Sequence, residues 1–295
     1  MRKMLEGRIS RMGCIRSSVA IAIAMLVSSC STDTGGSIPP DLTGKVKLDY
    51  ENSLIVFPLD AYKISTDDFS RILLAREVIL TTCMKKFGFN DDPKAAYSKA
   101  ENRNFGVWNV DRVRQYGFGF AGEKSASSQA HDEAGVWGNA RYKCLGSEKA
   151  ALEQITPQDQ FMNGGIANEL SMRSLNLASQ TDAWKKSKEE WASCISSGGL
   201  TPGQGPAEWS SQQALDLLIR TDQANSSPAD VSEGIRIATV EAECNQKTRL
   251  TQTLGDIQAS YQLPLIRQNE AALAELKKEG EKYVSAADEV LREKQ

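Results

Sequence analysis

Apolar residues recur along most of this chain three and four positions apart, the spacing of helices buried on one face. Ser65 with Asp68 resembles a capping box, and behind it Phe69, Ile72, Leu73, Leu80, Cys83, Met84 and Phe87 stripe a helix over residues 66–87. Pro157 suits the first position of a further helix, which Gly164 and Gly165 weaken. Trp184 and Trp191 lie on one side of the next helix, which ends at Gly198 and Gly199. Residues 209–220 predict a short helix with Leu215, Leu218 and Ile219 inward. From residue 232 onward Ala, Glu, Lys, Leu and Gln dominate, which predicts one long helix kinked near Ser260 by Pro264. Its end carries a heptad-like seam of Leu273, Leu276, Gly280, Tyr283, Ala287 and Val290, expected to pack on its own domain and then run out into solvent. Only residues 50–62 read as extended, and residues 88–130, rich in Asn, Gly and Ser, read as a long surface excursion. The expected fold is mainly α with little strand.

The N-terminus follows another pattern. Arg2, Lys3, Arg8, Arg11 and Arg16 form a basic head, followed by nine apolar residues from Val19 to Val27. That is the length of a signal h-region and too short for a membrane span of roughly 20 residues. The run ends in Val27-Ser28-Ser29-Cys30, which resembles the lipobox of bacterial lipoproteins. The resemblance implies a signal peptide over residues 1–29, diacylglyceryl lipid on Cys30, a flexible tether over residues 30–44 and a body held on the extracytoplasmic face of the cell membrane. The alternative is an ordinary secretory signal with a chance cysteine at the cleavage point. A start at Met12 instead of Met1 leaves either reading intact.

Removing residues 1–29 leaves 30 basic residues against 37 acidic, a net charge of −7. A nucleic-acid partner or an electrostatic membrane footprint needs clustered positive charge, so attachment to the bilayer falls to the lipid, whose two chains suffice where one is marginal.

Four cysteines follow the lipobox: Cys83, Cys144, Cys194 and Cys244. An even number in an exported chain points to disulfides with three possible connectivities, and spacings of 61, 50 and 50 residues contain no close pair of the kind that holds zinc. The segments ending at Phe89 and Leu200 share a pattern: a bulky apolar residue three before the cysteine, an apolar residue after it, glycine at the fifth position, then apolar again. Each reads as a helix end closed by glycine. On that likeness Cys83 is paired with Cys144 and Cys194 with Cys244, two staples in two related helical halves, residues 45–155 and 156–295. The alternative is a coincidence of two helix ends.

Residues 62–89, 182–200 and 237–275 together resemble a group of uncharacterised secreted lipoproteins of actinobacteria, with a Trp-x-x-Cys helix end and a cysteine ahead of a long C-terminal helix. The resemblance implies no activity. Ile195, where that pattern has Met, and Pro264 depart from it.

Chemistry is sparse. His131 is the single histidine, and beside Asp132 and Glu133 it reads as an exposed loop residue rather than a metal corner. No serine elbow, zinc-protease, phosphate-loop or calcium-loop motif occurs. Catalytic residues, metal and cofactor are therefore all assigned as none. Tyr116, Phe118, Phe120, Trp108 and Trp137 read as core packing, with a sugar-stacking surface as the alternative. Three functions compete. The first is a non-catalytic envelope module binding a cell-wall polymer or an envelope protein. The second is a peptidoglycan- or glycan-active hydrolase. The third is a solute-binding lipoprotein, which would need an alternation of strand and helix absent here.

Overall fold

A computed structural model describes residues 38–93, 101–120, 135–158, 161, 165–205, 208–220 and 227–293. Every described residue belongs to one compact unit, residues 38–295. Cys30 and the triplet His131, Asp132 and Glu133 lie outside the described residues.

Among the described residues the protein is mainly α: ten α-helices, two short 3-10 turns and one antiparallel sheet of two strands. The strands, β1 (Lys47–Asp49) and β2 (Leu54–Val56), pair with Leu48 opposite Ile55. The helices are α1 (Thr66–Met84), α2 (Val110–Tyr116), α3 (Val136–Ser147), α4 (Lys149–Ile155), α5 (Gly165–Ser179), α6 (Asp182–Ser197), α7 (Gln212–Arg220), α8 (Pro228–Thr248), α9 (Leu250–Gln268) and α10 (Glu270–Glu293). Helix starts are written in the sequence: Ser65, Asn109, Thr181 and Ser227 each accept a hydrogen bond from the backbone N–H three residues on.

The structure joins Cys83 to Cys144 and Cys194 to Cys244, with Cα atoms 5.8 and 5.6 Å apart. Both staples sit at the same kind of helix end. Gly88 and Gly199 adopt φ of +86° and +80°, a region in which a side chain is strained. The N–H of Gly88 bonds to Lys85 O and that of Phe89 to Met84 O; Gly199 and Leu200 repeat the pattern on Ser196 O and Ile195 O. These are paired Schellman closures, and the apolar residue after each glycine covers the last turn.

Burial organises three main cores. Ile72, Leu80, Met84 and Ile155 pack with Ala287 of α10 in the first; Phe57, Phe105, Trp191, Ile237 and Leu254 belong to the second; Leu59, Leu170, Leu265 and Leu273 to the third. Each core draws on residues from both sides of Ile155: α10 lies along α1, and α2 lies along α8.

The structure changes several expectations. The long C-terminal helix is three helices: the chain breaks at Arg249, with φ of +55°, and at Asn269, while α9 runs on through Pro264. Across the first break Asn245 accepts from Thr251 N at 3.0 Å, replacing a lost helical bond. The heptad-like seam does not run into solvent, because Leu273, Leu276, Gly280 and Ala287 are buried against the protein's own body. Residues 101–120 are no surface excursion: Phe105, Val107, Trp108 and Val113 are buried, and Asn109 ties the segment to Tyr50 O and Ser53 Oγ. In α7 the buried residues are Ala214 and Leu217, and Leu218 and Ile219 face outward.

Residues 38–44, read as tether, are docked. Pro264 has no N–H to give the carbonyl four residues back, and that carbonyl, Ser260 O, accepts from Asp41 N at 2.8 Å. Arg267 Nη1 holds Asp41 Oδ2 at 2.8 Å. Gly44 lies so close to α9 that a Cβ there would meet Ala259 O at 2.5 Å. Ile38 is buried in the third core.

Candidate functional site

The chemically distinctive region surrounds the second staple. Helix α6 projects Trp184, Lys188 and Trp191 from successive turns of one face, and Trp209 from the loop before α7 closes over them. The rings meet edge to face, Trp184 to Trp209 at 5.9 Å and Trp191 to Trp209 at 6.4 Å, with Phe105 against Trp184 at 5.5 Å. Lys188 Nζ stands 5.0 Å from the Trp209 ring centroid and donates to Gly205 O, so the loop is clamped from below. Gly203 fits because a Cβ there would collide with Glu208 and lie 2.7 Å from Ser210 O.

Glu241 enters this cluster from α8. It is 1 % exposed; Oε1 accepts from Ser211 N at 2.6 Å, and Oε2 has no hydrogen bond. Trp191 Nε1 is likewise buried without one. Burial pushes the Glu241 carboxyl up to about 7, the Ser211 hydrogen bonds oppose the rise, and the Glu208 charge adds to it. Burial also lowers the Lys188 ammonium from its ordinary value, against the pull of Glu208. A carboxyl in this state exchanges a proton near neutral pH, which an exposed glutamate does not.

Next to this cluster a groove of about 540 Å³ lies between α7 and α8, lined by Gln213, Asp216, Ile219, Arg220, Glu233 and Ile237. Leu218, Ile219 and Val231 are exposed, Ile219 at 83 %. A second cavity of about 10 Å³ adjoins Glu101, which Arg103 and Arg112 pair at 2.6 and 3.1 Å; it has room for about one water.

Neither cavity is lined by Glu241 or by either disulfide. The aromatic residues singled out in the sequence do not form one surface. Trp108 is buried in the second core and donates to Asn102 O, whereas Trp137 packs on the first core and donates to Asp91. Phe120 and Tyr116 lie beneath the guanidinium groups of Arg103 and Arg112. Among the described residues no group of three His, Cys, Asp or Glu side chains is placed to hold a metal, and no helix is long and apolar enough to cross a membrane.

Glu241, Lys188, Glu208 and Ser211 were not singled out by sequence. One signal existed: Ile237, Glu241 and Cys244 follow helical spacing, so the acid occupies a position on the buried stripe of α8. Comparison with protein-family models, curated proteins and solved structures finds no match.

Proposed function

We propose that this chain is an exported lipoprotein, lipidated at Cys30 and held on the extracytoplasmic face of the cell membrane, whose stapled helical body binds another envelope protein. The observation that carries the proposal is the oxidised state of all four cysteines beyond the lipobox, since disulfides persist in oxidising compartments and are rare in the cytosol. Membership of the actinobacterial lipoprotein group that the sequence resembles is part of the same proposal.

The groove between α7 and α8 supplies the contact surface. Its lining joins the exposed Ile219 to Asp216, Arg220 and Glu233 and holds no aromatic face, which favours a protein partner over a wall glycan, because sugars stack on exposed aromatic rings. The hydrolase reading lacks comparable support: Glu241 has the raised proton affinity of a general acid, but it is buried and lines neither cavity found among the described residues.

The test places a photo-crosslinking residue at Ile219 and compares Cys30 with Cys30→Ser in the native host. The proposal expects a discrete crosslinked envelope protein and release of the Cys30→Ser chain from the membrane fraction. No adduct removes the binding role, and unchanged membrane retention removes the anchor.

A further inference from the structure

We infer that Cys194–Cys244 is a redox-active disulfide that exchanges with a protein dithiol, with Glu241 as the proton donor to the leaving Cys244 sulfur. The inference is independent of the partner proposed for the groove.

Three observations set this disulfide apart. The sulfurs of the first staple are sealed, Cys83 and Cys144 being 3 % and 0 % exposed, whereas Cys194 is partly exposed at the edge of its core. Thiolate attack needs access, so Cys194 Sγ is the sulfur that an incoming thiolate reaches. Next, Glu241 lies one helical turn before Cys244 on the same buried face, within reach of a side chain three residues on. The corresponding position before Cys144 is Arg141, which is turned to Glu77 at 2.8 Å and has no proton to give at neutral pH. Finally, Glu241 Oε2 is buried with no hydrogen bond, an oxygen free to carry the transferable proton.

The need for a donor follows from position. Cys244 falls in the last two turns of α8, where helix carbonyls disfavour negative charge, so a bare thiolate is a poor leaving group there. The charged groups on neighbouring elements do not relieve this. Arg114 of α2 pairs with Glu243, Asp256 of α9 holds Lys45, and Lys188 of α6 is drawn towards Glu208 and Gly205 O. Glu208 reinforces protonation of Glu241.

In the reaction, one thiol of the partner loses its proton to solvent and attacks Cys194 Sγ. A mixed disulfide forms, the Cys194–Cys244 bond breaks, and the electron pair leaves on Cys244 Sγ, which takes the Glu241 proton. The partner's second thiol loses its proton to solvent and attacks the partner sulfur of the mixed disulfide, expelling Cys194 as a thiolate that solvent protonates, and Glu241 regains its proton from solvent. The partner dithiol is oxidised to a disulfide, and both cysteines are reduced by the two electrons transferred.

The experiment exposes the mature chain to dithiothreitol, quenches by alkylation and reads each cysteine by peptide mass. Expected is reduction of Cys194–Cys244 at least tenfold faster than Cys83–Cys144. Its rate, normalised to thiolate concentration, falls about tenfold as pH rises through 7, and Glu241→Gln slows it about tenfold at pH 6 while leaving Cys83–Cys144 unchanged. Equal rates for the two disulfides, or a flat normalised pH profile in the unaltered protein, overturn the inference even should Glu241→Gln fail to fold.

Discussion

The two disulfide regions share a backbone and differ in chemistry. At both, the cysteine lies three residues past a buried apolar anchor, Leu80 or Trp191, and a left-handed glycine closes the helix end. Around the first, the buried neighbours are aliphatic, and Arg141 is paired with Glu77. Around the second, three tryptophans, a half-buried lysine and a buried acid occupy the same relative space. A repeated motif of glycine, cysteine and apolar spacing therefore dictates how the helix stops, while side chains from other segments decide whether the site holds a reactive proton.

The largest effect comes from removing each staple in turn by paired Cys→Ala substitution. Loops of 61 and 50 residues each forfeit about 4 kcal/mol by the chain-entropy argument, with only about 0.2 kcal/mol between them. Urea unfolding checks this, and a gap well beyond that difference assigns the remainder to the surroundings.

Glu241→Gln is next. With its carboxyl raised from 4.5 to about 7 in the folded chain, the native state binds the extra proton, so stability is fully present below pH 4.5 and falls until about pH 7. The loss amounts to about 3 kcal/mol, and the variant should recover that order of stability at pH 8 and none at pH 4. Unfolding curves across this range read it directly. A wild-type stability that does not fall between those pH values would mean the acid is not sealed.

Gly88→Ala and Gly199→Ala sharpen the likeness. A Cβ at either glycine meets nothing within 4 Å, so each substitution isolates the left-handed strain, about 1 kcal/mol, and the two losses should agree. Unequal thermal shifts would show that the two closures are not equivalent. Smallest is Ile219→Asp at an 83 % exposed position, expected to leave stability within about 0.5 kcal/mol while abolishing the adduct formed by a photo-crosslinking residue placed instead at Glu233, across the groove.

Much of the fold is legible from spacing. Ser65 with Asp68, Thr181 before Trp184, and the glycines after Cys83 and Cys194 announce boundaries through local hydrogen bonds, which local sequence encodes. Trp108, read as core packing, is buried, but Phe105 and Val107 stayed hidden in an Asn- and Gly-rich stretch, because their burial depends on a distant helix, α8, and on Asn245 donating to Phe105 O at 2.9 Å. The inward face of α7 was misread for a related reason: Leu218 and Ile219 are apolar, but the fold turns Ala214 and Leu217 to the core. Glu241 sits on a stripe that periodicity marks as buried, yet its raised proton affinity comes first from burial completed by distant segments, with Ser211 opposing the rise and Glu208 adding to it.

The missing N–H of Pro264 has a mechanical consequence. Asp41 fills the vacancy on Ser260 O, so the lipid proposed at Cys30 would act as a leash whose backbone is stitched to the body on α9. Drag on that leash is delivered first to α9, which is braced by α5, α6 and α8, instead of peeling the small hairpin from the edge. A residue chosen against helix continuity thereby sets the point where load enters the body.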